Sequence, residues 1–77
     1  MGKYSDDAAK LLELVGGKGN IAAVSHCMTR MRFVLNDESK ADVSGIEDLP
    51  SAKGSFTQSG QFQVIIGNDV KAFYEDF

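Results

Sequence analysis

The run His26-Cys27-Met28-Thr29-Arg30-Met31-Arg32-Phe33-Val34-Leu35 decides how this chain is read. Met31, Phe33 and Leu35 alternate with Arg32 and Val34, the period of two that marks a strand buried on one face. The same period sends Arg30 and Arg32 to the face opposite the apolar stripe. Cys27 precedes this strand, in a loop that follows a second candidate strand, Ile21–Ser25.

Working outward, Ser5-Asp6-Asp7 reads as a helix start, with Ser5 as N-cap and two carboxylates in the first turn. Ala8, Leu11, Leu12 and Val15 keep helical spacing, and Gly16-Gly17 supplies the stop. Downstream, Asn36–Asp42 is polar and reads as a turn. Val43, Ile46 and Leu49 form one face of a short helix ended by Pro50. Lys53–Ser59 and Gln61–Ile66 read as a hairpin across Ser59-Gly60. In that hairpin Phe62, Val64 and Ile66 share one face, and Gln61, Gln63 and Ile65 the other. Gly67 ends the strand, and Asn68 or Asp69 caps a last helix carrying Val70, Phe73 and Phe77. Helix, two strands, short helix, two strands and helix make an α+β sandwich with helices on one face of a small sheet. The helix-covered face takes Met31, Phe33, Leu35, Phe62, Val64 and Ile66, and the other face is left for a partner.

Seventy-seven residues make one domain with a modest core. A net charge of −3 and a pI of about 4.9 disfavour a general nucleic-acid or anionic-membrane surface. One cysteine cannot close an intramolecular disulfide, and one cysteine with one histidine disfavours a zinc site. No apolar run approaches the ~20 residues that span a bilayer, and no basic start with an apolar stretch reads as a signal peptide. The chain ends at Phe77 inside a helical pattern, so it reads as a piece of something longer.

A lone cysteine, taken by composition, is a small buried hydrophobe. Cys27, however, is followed by a hydroxyl at Thr29 and guanidinium groups at Arg30 and Arg32. Arginine lowers a neighbouring thiol pKa and grips phosphate with a planar fork of donors. Backbone N–H groups of a tight loop can add an anion nest. Phosphoryl transfer requires mainly positioning and charge neutralisation, so this kit suffices for a carrier whose thiol is itself phosphorylated. A cysteine phosphatase is a weaker reading: the Cys-to-Arg spacing is short and no aspartate lies close in sequence to act as acid. A non-enzymatic interaction module is the other alternative. Around the phosphate His26, Met28 and Gln63 are candidate supporting residues; His26 is a base or a hydrogen-bond donor, or simply a loop imidazole.

Asn20-Ile21 followed by Cys27-Met28-Thr29-Arg30-Met31-Arg32-Phe33-Val34-Leu35-Asn36-Asp37 resembles the phosphorylation-site signature of sugar phosphotransferase-system (PTS) enzyme IIB domains of the glucose/sucrose/β-glucoside superfamily. The second block, Lys53-Gly54-Ser55-Phe56 through Gly60-Gln61-Phe62-Gln63-Val64-Ile65-Ile66-Gly67, resembles that family too, as does Leu12-Glu13-Leu14-Val15-Gly16-Gly17. The resemblance covers nearly the whole chain. It implies an open-faced sandwich: a four-stranded antiparallel sheet with three helices on one face. It implies that residues 1–77 are one IIB domain excised from a longer membrane permease at the cytoplasmic face of a bacterial membrane. Cys27 would then take phosphate from a phosphohistidine of a IIA protein or domain and give it to a sugar held by the membrane-embedded IIC domain. Thr29, Arg30 and Arg32 match the phosphate-site threonine and the two arginines, which the family uses mainly for transfer to sugar. Glucose-type members carry aspartate where this chain has Ser25; His26 is similar to the sucrose and trehalose branches, and the whole most resembles trehalose-specific members. Met31 stands where leucine is usual, a volume-conserving apolar exchange. The resemblance implies no metal or organic cofactor, no nucleic acid, and no membrane insertion of this segment.

Overall fold

In the computed structural model, which describes residues 2–77, the chain runs α1 (Ser5–Leu14), β1 (Ile21–His26), β2 (Arg30–Leu35), α2 (Val43–Glu47), β3 (Gly54–Gln58), β4 (Gln61–Ile65) and α3 (Val70–Asp76). The sheet order is β1-β2-β4-β3. Each neighbouring pair is antiparallel. This is the α+β open-faced sandwich that the alternation around Phe33 requires. Met31, Phe33 and Leu35 are buried while Val34 is exposed. Phe62, Val64 and Ile66 are buried beside them, and Ala8, Leu11, Val15, Ile46, Val70 and Phe73 close the core from the helical side. Phe33 lies at its centre, with its ring 5.5 Å from Phe77 in an edge-on contact and 6.4 Å from Phe62.

Two connections set the register. Gly16 takes φ +107°, and a Cβ there would stand 2.7 Å from the Asn20 amide nitrogen. That space lets Asn20 turn inward, where it is 4% exposed. Its Nδ2 donates to the carbonyls of Val15 (2.8 Å) and Asp37 (2.9 Å), and its Oδ1 accepts from the Asp37 N–H (2.9 Å). A buried amide is thus fully used in tying the end of α1 to the end of β2. The second connection is the Ser59-Gly60 turn, with φ of 54° and 77°. Two positive values match the twist of a tight hairpin. They set Gln58 opposite Gln61 and hence Phe56 opposite Gln63.

The elements differ from the sequence expectations at their ends. Ser5 is not the N-cap: Tyr4 holds that position without a side-chain cap, and the Ser5 hydroxyl donates backward to the Gly2 carbonyl (3.0 Å). The Tyr4 N–H instead donates to an Asp76 carboxylate oxygen (2.8 Å), so the helix start is anchored by α3. Asp69 sits at the cap of α3, but its carboxylate is engaged by the Tyr4 hydroxyl and Lys3 rather than by the helix. Asp42 does cap α2, accepting from the Gly45 N–H (3.0 Å). That helix ends at Glu47, and Leu49 reaches the core from the following turn. Short 3-10 turns at Lys18–Asn20 and Glu38–Lys40 occupy stretches without an apolar period to announce them. β1 runs one residue further than Ser25, to His26, and has a bulge between Ile21 and Ala23. The bulge restores Ile21 and Val24 to the same, helix-covered face.

Phe33→Ala should lower unfolding stability by roughly 3–5 kcal/mol, because a central aromatic leaves a cavity. Val34→Ala, one residue away on the opposite face, should change it by no more than about 0.5 kcal/mol. Denaturant titration of both variants checks the facing; comparable losses would mean that β2 is not buried on one side.

Candidate functional site: a cysteine loop beside two arginines

Cys27, Met28 and Thr29 join β1 to β2 at one end of the sheet. The Cys27 N–H donates to the Arg30 carbonyl (2.9 Å), closing a tight turn. The Thr29 carbonyl accepts from the N–H groups of both Ile66 and Gly67, each at 2.8 Å. This double acceptance pins the loop to the end of β4. The thiol is partly accessible. Its pKa is held below the ordinary thiol value, first by the backbone N–H of Thr29, then by that of Arg30 and by the charge and N–H of the Arg32 guanidinium. Partial burial opposes these effects without overcoming them. Donors that stabilise a thiolate are donors available to any anion built on that sulfur.

The sheet extends this site across its open face. Ser25, Arg32, Gln63 and Phe56 form one transverse row through all four strands. Arg32 Nε is buried and has no hydrogen-bond partner among the described residues. An unpaired charged donor inside a site is a standing demand for an acceptor. Arg30 belongs to the next row, opposite Ile65. Its guanidinium reaches across β4: Cζ lies 4.9 Å from the centre of the Phe56 ring, and Nη1 is 3.4 Å from Gln63 Oε1. With Arg32 and Phe56 on either side and Arg30 reaching to it, Gln63 is only 4% exposed, although it sits on the face away from the helices.

The candidate residues therefore divide. At the loop, Thr29 attends Cys27 through its backbone N–H rather than the hydroxyl that the sequence suggested, together with the Arg30 N–H and the Arg32 guanidinium; the Arg30 and Gln63 side chains adjoin on the open face. Met28 projects from the loop tip, 88% exposed. His26 is paired with Met31 and so belongs to the helix-covered side, with its ring 4.7 Å from that of Tyr74. Its Nδ1 lies 3.0 Å from the Cys27 carbonyl oxygen. A carbonyl can only accept, so Nδ1 carries the proton in this contact. The structure thus has His26 bracing the loop backbone from behind and does not bring its ring among the arginines. A groove of about 660 Å³ at the free edge of β1, between Leu12, Ile21, Val24, Tyr74 and Phe77, contains none of the Cys27, Arg30 and Arg32 group. Among the described residues no cluster of metal-ligating side chains occurs, and no helix is long and apolar enough to cross a membrane.

Phe56 touches the Arg30 guanidinium on this face, and the pattern reading did not single it out. Its signal lay in the hairpin register: a two-residue Ser59-Gly60 turn puts residues 56 and 63 opposite each other.

The open-faced sandwich thus presents a cysteine loop with a lowered thiol pKa beside two arginines, a donor set suited to an anion. A profile of the family described as phosphotransferase system, EIIB, matches residues 9–42. The trehalose-specific EIIBC component of the PTS of Escherichia coli (strain K12) is 58% identical over 69 residues, covering 90% of this chain and 15% of that protein. The sucrose-specific EIIBC component of Bacillus subtilis (strain 168) is 50% identical over 64 residues, covering 83% and 14%. The crystal structure of one domain of the PTS IIabc component from Clostridium difficile superposes with a TM-score of 0.90 at 33% identity, covering 96% of this chain and 78% of that one. This chain belongs to the EIIB family of the phosphotransferase system, as its sequence signature implied. It spans about 15% of the length of the first of these EIIBC components.

The lowered thiol pKa has a direct readout. The rate of Cys27 alkylation, followed against pH, should rise at a lower pH than that of a free cysteine. Arg32→Gln should move the midpoint upward but not abolish the shift, since the Thr29 N–H contributes most. A wild-type midpoint at the free-thiol value would contradict the loop electrostatics.

Proposed function

We propose that residues 1–77 form the phosphoryl-carrier domain of a longer sugar permease, with Cys27 as the phosphorylated residue. The observation that carries this reading is the Cys27 loop pinned to the end of β4 through the Thr29 carbonyl, with the buried Arg32 Nε left without a partner among the described residues and the thiol pKa lowered by the Thr29 and Arg30 N–H groups and the Arg32 guanidinium. The thiolate attacks phosphorus in the phosphohistidine of a IIA donor. An S–P bond forms as the N–P bond breaks, and the donor imidazole keeps the bonding pair and regains its neutral form by taking a proton. The loop N–H groups and Arg32 bind the new phosphate oxygens. In the second step a sugar hydroxyl attacks phosphorus, an O–P bond forms, the S–P bond breaks, and the hydroxyl proton leaves to solvent or a base. The thiolate returned by this step is a competent leaving group because the same donors hold its pKa down.

The sugar is supported by kinship rather than by any contact in this domain. Residues around His26 and the Phe56 block favour trehalose, and the 58% identical relative is named a trehalose-specific EIIBC component. The acceptor would be presented by a IIC membrane domain, as the EIIBC names of the relatives suggest. The domain would then work at the cytoplasmic face of a bacterial membrane.

Incubation with IIA whose phosphohistidine carries labelled phosphate should load one phosphate per chain. Cys27→Ser should abolish loading while leaving the circular dichroism spectrum unchanged, because the loop contributes little to the core. Undiminished labelling of the serine variant would remove Cys27 from the role. Arg30→Lys keeps the charge but loses the planar fork. It should spare loading and depress transfer to sugar; equal loss in both steps would mean that Arg30 serves the phosphorylated state generally.

A further inference from the structure

Arg30 and Arg32 are two residues apart on one strand face, but their surroundings differ. Arg32 attends the thiol and keeps a buried, unpartnered Nε. Arg30 is drawn sideways over β4 toward β3. In its own transverse row β4 supplies Ile65 and β3 supplies only Gly54, which has no side chain to offer. The side chain of β3 that Arg30 meets is Phe56 in the adjacent row, and the Gln63 amide lies beside the same guanidinium. Phe56 is half-buried, is not part of the hydrophobic core, and stands on the face that no helix covers. An aromatic placed there contributes little to the packing of the fold.

From this arrangement we propose that Phe56 is a positioning residue for Arg30, holding its guanidinium on the open face as a preorganised phosphate clamp for the discharge of the carrier. The physical basis is simple. A free arginine side chain has many rotamers, and immobilising it costs conformational entropy when it binds an anion. A guanidinium over an aromatic face is attracted by the ring quadrupole. A guanidinium stacked face to face on a ring keeps its in-plane N–H donors free for a bidentate phosphate contact. Gln63 Oε1 takes one of those donors at the long distance of 3.4 Å, weak enough to be exchanged for a phosphate oxygen. Arg32 and the loop amides suffice for the loaded state at sulfur. Arg30, held to one side, is the second cation that meets the phosphate as its S–P bond lengthens toward an acceptor.

This inference rests on the carrier reading, and the test separates the two. Phe56→Leu removes the ring but keeps an apolar side chain; Phe56→Tyr keeps the ring face. In wild type and Phe56→Tyr the Arg30 side-chain protons should be shifted upfield by the ring current in proton NMR spectra. In Phe56→Leu they should return to free-arginine values. Loading of Cys27 from phosphorylated IIA should stay within about twofold in both variants. Transfer from the loaded domain to trehalose, in vesicles carrying a IIC domain, should fall about fivefold in Phe56→Leu, the scale of one exposed cation–π contact, and recover in Phe56→Tyr. Wild-type Arg30 protons at free-arginine values would overturn the clamp, as would wild-type discharge by Phe56→Leu. A wild-type domain that loads no phosphate would overturn the carrier reading, and with it the clamp's role in discharge.

Discussion

The one-sided burial of β2 is the constraint on which the rest of the molecule depends. Met31, Phe33 and Leu35 are removed from water under the helices, which fixes the strand's facing and register. A slip of one residue would expose all three and bury two guanidinium groups, a change opposed by both hydrophobic transfer and desolvation. The arginines are therefore held on the open face by a hydrophobic force that acts on their neighbours. The chemistry of the site is positioned by the core, through the alternation of a single strand.

The loop extends the same economy. A thiol, two backbone N–H groups and one guanidinium lower the cost of negative charge at sulfur. The geometry is secured by the Thr29 carbonyl, which accepts from two N–H groups at the end of β4. That contact spends the loop's acceptor on the sheet. His26 braces the same backbone from the helical side through the Cys27 carbonyl. A residue beside the nucleophile can thus support it without touching what it carries.

Much of this was legible in the sequence because it rests on short-range rules. The period of two from Met31 to Leu35, the Gly16-Gly17 stop and the Ser59-Gly60 turn each state their own geometry. What was not legible depended on contacts between distant residues. Ser5 lost the cap because the amino-terminal turn is anchored by Asp76, more than seventy residues away. The facing of His26 follows from the β1 register and its bulge, which a run of small residues at Ala22-Ala23 does not announce. The burial of Gln63 comes from its cross-strand neighbours rather than from its own polarity. The Arg30–Phe56 contact joins different transverse rows and becomes visible only once the hairpin is in register.

The most direct test of the account is NMR of the nitrogen-15-labelled domain before and after loading by phosphorylated IIA, with phosphorus spectra taken on the same sample. The account predicts a phosphorus signal of a thiophosphate ester. It also predicts amide shifts concentrated at Thr29 and Arg30, with the Arg32 Nε–H resonance moving as that buried donor gains an acceptor. A phosphorus signal of phosphohistidine at His26, or loading that leaves the Thr29 and Arg30 amides unmoved, would contradict it.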